Sequence, residues 1–513
     1  METDRRAGIG TEGPAVMELP AASFLSGSGD PGRFPGSGSG AVRFALNHFG
    51  VSENDLQRTL STALEKGGDY ADLFFEHTCS NSLGLQDGAV NRASSNIDFG
   101  MGVRVISGDR TGYAYTEDIT SGEMQKAART AARIAAGNSS RRQPAGLTER
   151  APAHDLYPVR TAWDEVAVKD KMPWLQQLND RIFALDSRVA RVIAGLGDTT
   201  SHIFFCNSAG EMCYDYRPMA RLHAQCIMAE GSRVENNYAG RSFRMGAEFL
   251  TDGLVNALAA EVVDRTAILF RSVKPRGGEM PVVMGAGGSG ILLHEAIGHA
   301  FEADFNRKNT SIFSDKLNRA VCDRRISVID DGTIPFNRGS VNVDDEGVPG
   351  QKTCIVHNGI LTSYLHDRIS ARHYGVAPTG NGRRESFRTA PIPRMRATCM
   401  EAGDCSEEEI IAAVKKGIYA SGFTNGQVQI GAGDFTFFVK NGYLIENGKL
   451  TQPIRDINII GNGPEALAGI TMIGNNSRID NGTWTCGKDG QSCPVTCGMP
   501  SALVNRLTVG GEN

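Results

Sequence analysis

Two histidines in one apolar segment limit how this chain can fold around them. Residues 294–299 read His-Glu-Ala-Ile-Gly-His, so five positions separate the two imidazoles. In the common zinc-protease signature the histidines lie four apart, which places both rings on one face of a helix with about 3.6 residues per turn. A separation of five turns the second side chain about 140° away from the first. We therefore predict a helix widened by a π-type insertion, with Gly298 supplying backbone freedom beside it.

The surroundings of this motif indicate a metallopeptidase site. Residues 285–290 are Gly-Ala-Gly-Gly-Ser-Gly, a loop where an extended substrate could approach bare backbone, although a glycine linker would look similar. His294 and His299 are the candidate metal ligands, and Glu295 is the candidate general base.

A catalytic zinc ion normally takes three protein ligands and leaves a fourth position open. Glu302 and Asp304 are local candidates for the third ligand, but acidic residues just after such a helix more often support a ligating histidine or are solvated charges. Cys486, in a glycine-flanked polar loop, is the better candidate.

The length and the composition predict the number and the class of the domains. A chain of 513 residues is too long for one ordinary hydrophobic core, so we expect two α+β domains. We place a disordered tail at 1–40, an N-terminal α+β domain at 41–275 and a C-terminal metallopeptidase domain, with the metal-binding helix near its start, at 276–513. The 61 glycines exceed the average of about 7% and favour tight hairpins in antiparallel sheet.

Charge and cysteine content exclude several classes of protein. The net charge is −5, so the chain has no basic field for nucleic acid. Eleven cysteines without dense pairing indicate a reducing compartment, and we expect the cytoplasm. No segment is typical of a membrane span, and the first 40 residues lack the apolar region of a signal peptide.

Local patterns predict the elements of both halves. Predicted helices begin at Ser52, capped with Asp55, and at Ser121, with Met124, Ala128, Ala131 and Ile134 on one face, and cover 167–188 and 251–269. Predicted strands cover 69–77, 99–106, 111–116, the paired region 189–229, 279–284, 427–430, 435–439 and 443–446. Asn358-Gly359 is a hairpin signal. Ser406 with Glu409 predicts a capping box for a helix through about Ala420.

Four stretches together resemble one known family. They are residues 294–306, residues 380–386 (Gly-Asn-Gly-Arg-Arg-Glu-Ser), residues 459–466 (Ile-Ile-Gly-Asn-Gly-Pro-Glu-Ala) and residues 481–491 around Cys486. The chain is similar over about residues 41–513 to the motif-bearing subunits of the TldD/TldE (PmbA) family, once called modulators of DNA gyrase.

The resemblance implies a zinc metalloprotease in which His294, His299 and Cys486 bind Zn²⁺ and Glu295 is the catalytic glutamate. It implies work in the bacterial cytoplasm on unfolded or flexible peptides, such as peptide antibiotics and antitoxins, within a closed chamber. It also implies a heterodimer with a TldE/PmbA-type sister subunit that lacks the metal motif, although a homodimer is possible.

The sequence departs from the family pattern at Cys493 and Cys497, where small apolar residues are usual. As free thiols these are most often small buried hydrophobes, with a structural metal or a redox pair as alternatives. Arg383, Arg384 and Arg394 form a basic cluster that could bind a substrate carboxylate or a peptide carbonyl through bidentate hydrogen bonds. Such arginines more often form a salt bridge between domains or subunits.

The competing function is a non-catalytic peptide-binding or scaffold subunit with a structural zinc ion. A purely structural site is normally closed by four protein ligands and needs no carboxylate beside the metal. Glu295 therefore favours the peptidase, whereas a fourth ligand from Cys493 or Cys497 would favour the scaffold.

Overall fold

A computed structural model describes residues 40–136 and 142–511 of the chain. Helices and strands are mixed along the chain and the sheets are mainly antiparallel, which confirms the predicted α+β class. The predicted disordered tail at 1–40 lies outside the described residues, apart from Gly40. The division into two domains near residue 275 stays a prediction.

The first part of the chain forms one large sheet with helices. The helices are α1 (Ala41–Phe49), α2 (Glu53–Ala63), α3 (Ser121–Ile134), α4 (Val168–Leu185) and α5 (Asp252–Ala267). The strands are β1 (Tyr70–Gln86), β2 (Ala89–Ser107), β3 (Arg110–Thr116), β4 (Thr148–Glu149), β5 (Val189–Asn207), β6 (Glu211–Glu230) and β7 (Arg233–Phe243). Short 3₁₀ turns lie at Trp163–Glu165, Ala247–Phe249 and Ile268–Arg271.

The two faces of this first sheet have different partners. The strand order is β3-β2-β1-β5-β6, and β4 and β7 both pair with β6. Since side chains alternate between faces along a strand, Phe204 and Leu196 of β5 point to one face, which α1–α3 cover at one end and α4 and α5 at the other. Phe205 points to the opposite face and packs against Val343 and Phe387 of the second part of the chain.

The predicted elements of this part are largely present. Ser52 and Asp55 form the predicted capping box, and α3 begins at Ser121. Of the four side chains predicted on one face of α3, Met124, Ala128 and Ala131 are buried, whereas Ile134 is 58% exposed at the last turn of the helix. The strands β1 and β2 are longer than predicted, since they continue through polar segments without hydrophobic alternation.

The second part contains shorter elements. The helices are α6 (Ile291–Leu293), α7 (Ala303–Arg307), α8 (Arg368–Tyr374), α9 (Glu407–Ala412) and α10 (Gly463–Ala468). The strands are β8 (Gly278–Met284), β9 (Val328–Asp331), β10 (Lys352–His357), β11 (Ile360–Leu361), β12 (Gly382–Arg383), β13 (Ile392–Pro393), β14 (Ala397–Met400), β15 (Lys416–Gln429), β16 (Asp434–Glu446), β17 (Lys449–Asn462), β18 (Ile470–Ile473), β19 (Arg478–Asp480), β20 (Thr485–Lys488), β21 (Gln491–Pro494), β22 (Thr496–Met499) and β23 (Ala502–Gly510).

Five strands of the second part close into a ring. They follow the order β17-β16-β15-β8-β23, and β23 pairs again with β17. A separate six-stranded sheet has the order β11-β10-β9-β14-β22-β19. Side chains of the ring and of this sheet, such as Phe437 and Val328, share one core with Leu292 and Ile297. The segment that carries the two motif histidines is therefore packed among apolar side chains of both.

The capping box at Ser406 and Glu409 is present, but the predicted helix through about Ala420 is wrong. The helix ends at Ala412, and Ile418 lies in β15, where it pairs with Val282 of β8. Burial of this β-branched residue in the sheet overrides the local helical signal. The predicted strands 427–430, 435–439 and 443–446 belong to the long strands β15 and β16, and the Asn358-Gly359 hairpin is present.

Helix α1 packs on the first sheet beside a group of three histidines. The Nε2 atom of His48 lies 2.8 Å from the Nδ1 atom of His77, and the rings of His48 and His202 are 4.4 Å apart. Burial and the neighbouring His48 and His77 lower the pKa of His202 to about 3. Burial also lowers the pKa of His48 and His77, so folding favours the neutral form of all three rings.

We predict that this group makes the protein less stable in mild acid. The unfolded chain takes up protons near the ordinary histidine pKa of about 6.5, whereas folded His202 does not, so its stabilising contribution is present above that pH and is lost as the pH falls below it. From pH 7 to pH 5 we expect a loss of about 2 kcal/mol of unfolding free energy from His202. Denaturant unfolding should show a smaller loss in His202→Asn and an unchanged loss in the surface variant His357→Asn. Equal pH dependence in all three proteins would contradict the prediction.

Candidate metal centre

The motif histidines lie on a helix of unusual shape, here called the metal helix. It comprises a 3₁₀ turn at Gly288–Gly290, then α6, a π turn at His294–Gly298 and a 3₁₀ turn at His299–Phe301. The backbone N–H of His299 donates a hydrogen bond to the carbonyl of His294, five residues earlier. The predicted π-type insertion is therefore confirmed, and the two imidazole rings lie with centroids 5.0 Å apart.

The structure brings three of the predicted site residues together. Ligand atoms of His294, His299 and Cys486 all lie within 4.8 Å of one another, and all three side chains are buried. Cys486 reaches the metal helix from the hairpin formed by β20 and β21, whose turn at Asp489-Gly490 has positive φ at both residues. His299 and Cys486 are 187 residues apart in the chain, so tertiary structure alone brings them together.

The orientation of His299 is fixed by a carboxylate behind it. Its Nδ1 atom lies 3.0 Å from Oε2 of Glu302, and its Nε2 atom lies 3.3 Å from Sγ of Cys486. Glu302 is an acceptor, so Nδ1 carries the proton and Nε2 is left as the donor to a metal. Glu302 thus orients a candidate ligand, and the candidate cluster of His294, His299 and Cys486 does not include it.

A buried ammonium group neutralises this carboxylate. Although burial raises it, the pKa of Glu302 falls to about 2 because Lys488 and His299 lie beside the carboxylate. The Nζ atom of Lys488 is 3.1 Å from Glu302 and 2.7 Å from Asp304. Lys488 was not among the candidate site residues, but it lies two positions after Cys486 on β20 and so shares its face of the strand. The two-residue spacing from Cys486 is a sequence signal that predicts Lys488 near the metal centre.

The donor set fits a zinc ion. Burial opposes ionisation of Cys486, but the imidazoles of His294 and His299 lower the pKa of its thiol to about 4, so it is a thiolate at neutral pH. The Nδ1 atom of His294 is buried and lacks a hydrogen-bond partner among the described residues. Two imidazoles and a thiolate are ligands that zinc accepts.

Glu295 is placed differently from the three donors. Its side chain is half-buried on the π turn, and the described chain offers its carboxylate no hydrogen bond or ion pair. A Cβ atom built on Gly426 of β15 would lie 3.0 Å from Cγ of Glu295, so bare backbone passes close to this side chain. The carboxylate is free to act on a bound molecule.

The other two C-terminal cysteines have separate surroundings. Cys493 pairs with Cys486 across the hairpin, and burial raises the pKa of its thiol. Cys497 lies in β22 within the apolar core, where burial raises its pKa far above the ordinary value. Arg394 donates hydrogen bonds to the carbonyls of Cys486 and Gln491 and lies 3.5 Å from Sγ of Cys493. The arginine therefore holds the hairpin in place.

Among the helices that the structure describes, none is both long enough and apolar enough to cross a membrane.

Comparison with known families gives matches along most of the chain. Residues 71–135 match the model of PmbA/TldA metallopeptidase domain 1, and residues 162–270 match that of the central domain. Residues 277–511 match the PmbA/TldA metallopeptidase C-terminal domain, which includes the metal helix and the hairpin with Cys486.

Solved structures share the fold. A putative modulator of a DNA gyrase from Thermotoga maritima superposes with a TM-score of 0.71 at 23% identity, covering 89% of this chain and 100% of that chain. TldE from Thermococcus kodakarensis superposes with a TM-score of 0.69 at 20% identity, with the same coverage. At these identities the likeness concerns the fold alone.

The similarity to curated relatives covers almost the full length of those proteins. The metalloprotease TldD homolog of Haemophilus influenzae is 39% identical over 91% of this chain and 98% of that protein. The zinc metalloprotease TldD homolog of Saccharolobus solfataricus is 28% identical over 88% of this chain and 99% of that protein. The similarity over nearly the whole chain and the three matched domains agree, and the chain belongs to the PmbA/TldD family of metallopeptidases.

Proposed function

We propose that the chain is a zinc-dependent peptidase that hydrolyses peptide bonds of unfolded or flexible peptides. The observation that carries the proposal is the cluster of His294, His299 and Cys486 donor atoms with the unpaired Glu295 carboxylate on the same π turn. The name of the Saccharolobus relative supports zinc as the metal.

In the proposed mechanism each residue has one task. When bound, zinc supplies Lewis acidity to water and to the peptide carbonyl. His294, His299 and Cys486 hold the ion, and Glu302 keeps the proton of His299 on Nδ1. Glu295 takes a proton from the attacking water and passes it to the leaving amine.

The substrate class follows from the burial of this centre. The three donors are between 2% and 6% exposed, so a folded domain cannot bring a peptide bond to them. An extended chain can approach along the bare backbone at Gly426, beside Glu295. These features support unfolded or flexible peptides as substrates.

The alternative of a scaffold subunit with a structural zinc ion has less support. That function needs a fourth protein ligand to close the site, and Cys493 is the candidate because it pairs with Cys486. Arg394 contacts its sulfur, and the three-donor cluster among the described residues does not include it.

We also propose a cytoplasmic location and a heterodimer with a TldE/PmbA-type sister subunit, with a homodimer as the alternative. All eleven cysteines are free, and Cys486 and Cys493 face each other unlinked across the hairpin, which suits a reducing compartment. The likeness of the fold to TldE of Thermococcus supports a sister subunit of the same architecture.

Replacement of the proposed base should separate metal binding from catalysis. In Glu295→Gln we expect the zinc content of the wild type and a loss of about 10²- to 10⁴-fold in kcat on an unfolded peptide, because the general base is gone. The zinc content and the cleavage rate should be measured in the same samples, with the surface variant Glu446→Gln as the control. A Glu295→Gln protein that keeps full activity would refute the assigned role.

The two hairpin cysteines should behave differently. We expect Cys486→Ser to lose zinc, because a hydroxyl replaces the thiolate ligand, and Cys493→Ser to retain one zinc ion per chain. Metal analysis after gel filtration measures both. If Cys493→Ser also loses its zinc, the thiol is a fourth ligand and the scaffold function gains the support that the peptidase loses.

The carboxylate behind His299 should tune metal affinity. Glu302→Gln removes the charge that orients the imidazole, so we expect zinc affinity to fall by about 10- to 100-fold. Competition with a chromophoric chelator measures this, and the variant Asp304→Asn, which changes the other carboxylate beside Lys488, is the matched control. Equal affinity of Glu302→Gln and the wild type would show that Glu302 does not support the ligand.

A further inference from the structure

A cavity of about 390 Å³ lies between the first sheet and the hairpin that carries Cys486. Strand β5 contributes residues 197–199, and the hairpin contributes Thr485 and residues 492–494. Seven arginines line it, against four carboxylate side chains. We call it the arginine cavity.

The carboxylates of the arginine cavity leave much of this positive charge unbalanced. Asp198 is 2.7 Å from Nζ of Lys171, and Asp345 is 2.6 Å from Arg217, so both are already paired. Burial raises the pKa of Glu76 to about 7, which leaves it partly neutral at physiological pH. Glu385, the fourth, is exposed to solvent.

Four of the buried arginines, Arg244, Arg338, Arg383 and Arg396, have no carboxylate partner within the described ranges. Arg338 donates to the carbonyl of Trp484 and to two hydroxyls, while Arg383 and Arg396 donate to backbone carbonyls. Burial and neighbouring arginines lower the pKa of Arg338 and Arg396 to about 9. A protein gains nothing for its own stability from buried cations that repel one another.

Arg244 is the clearest case of a buried arginine without a partner among these four. Its side chain lines the cavity, the residue is only 6% exposed, and no hydrogen bond from its guanidinium to another described residue is present. Its Nε atom is buried and has no hydrogen-bond partner among the described residues, and its Cζ atom lies 5.3 Å from the centroid of the Tyr157 ring. A guanidinium held in this way presents its remaining donors to whatever occupies the cavity.

The arginine cavity lies next to the metal centre. Cys493 lines the cavity and pairs with Cys486, and adjacent strands are about 4.8 Å apart. Arg338 donates to Thr485, the residue before Cys486. A peptide strand rises about 3.3 Å per residue, so one molecule can reach both sites within a few residues.

We propose that the arginine cavity binds a carboxylate of the peptide substrate, a few residues from the bond that is cut. The inference rests on the proposed peptidase function and gives its substrate class: acidic peptides, or peptides with a free C-terminal carboxylate near the cleavage point. Arg383 and Arg384, which the sequence placed in a basic cluster, both line the cavity, whereas Arg394 lies outside it and holds the hairpin.

Matched peptides test the proposal on the zinc-loaded full-length protein. In the first kind of pair, one peptide carries glutamate and the other glutamine at a single position near the cleavage site, and each such position is tested in turn. In the second kind of pair, the peptides differ only in a C-terminal acid or amide. We expect kcat/KM to favour the charged member of one pair by about tenfold or more, mainly through KM. The responding pair tells whether a side chain or the C-terminus is bound. No preference in either pair would overturn the proposal.

A variant tests whether Arg244 recognises the negative charge of the substrate carboxylate. We expect Arg244→Gln to lose the preference and to keep or raise the melting temperature, because an unpaired buried cation is removed. Arg191→Gln, which removes an exposed arginine from β5 outside the cavity, should keep the preference. A large fall in the melting temperature of Arg244→Gln, with the preference intact, would mark the residue as structural and overturn the proposal.

A binding measurement separates this inference from the proposed function. Fluorescence anisotropy of a labelled acidic peptide on zinc-loaded Glu295→Gln protein needs no cleavage. Binding that weakens about tenfold or more in the double variant with Arg244→Gln supports the cavity even if the wild type cuts no peptide. Equal binding of the acidic peptide and its amide counterpart would overturn the inference even if cleavage is found.

Discussion

The hydrogen bond from the His299 N–H to the His294 carbonyl is the interaction on which the metal centre depends. It adds one residue to a turn of the helix, and only in that wider turn do both imidazoles face the same point. The turn is enclosed by the closed ring of strands and by the second sheet, which share one apolar core around it. Packing on all sides keeps the turn from relaxing to a regular helix, because a shift of one residue would move every buried side chain.

The third donor depends on charge as much as on packing. Two buried cations hold the hairpin with Cys486: Arg394 binds its carbonyls, and Lys488 binds Glu302 and Asp304 behind His299. Lys488 thereby links the hairpin to the metal helix. Lys488, with its two carboxylate partners, contrasts with Arg244, Arg338, Arg383 and Arg396 of the arginine cavity, which have none among the described residues. The same hairpin thus separates the proposed metal site from the cavity that we propose binds a carboxylate.

Local signals in the sequence predicted the features that are decided locally. The five-residue spacing of His294 and His299 predicted the π turn, and short capping motifs predicted where α2 and α9 begin. Long-range pairing decided the rest. Ile418 lies in a strand because β8 and β16 are beside it, and the arginine cavity gathers residues from distant strands. No spacing rule links such residues. By contrast, side-chain alternation along a strand predicts that Lys488 lies on the same face as Cys486.

The most direct test of this account is X-ray absorption spectroscopy at the zinc edge of the purified, zinc-loaded chain. We expect one sulfur at about 2.3 Å, two imidazole nitrogens at about 2.0–2.1 Å, and one further light-atom ligand that is not a histidine. Two sulfur ligands would place Cys493 on the metal and close the site. That result would contradict a peptidase centre with an open position and favour a structural zinc ion.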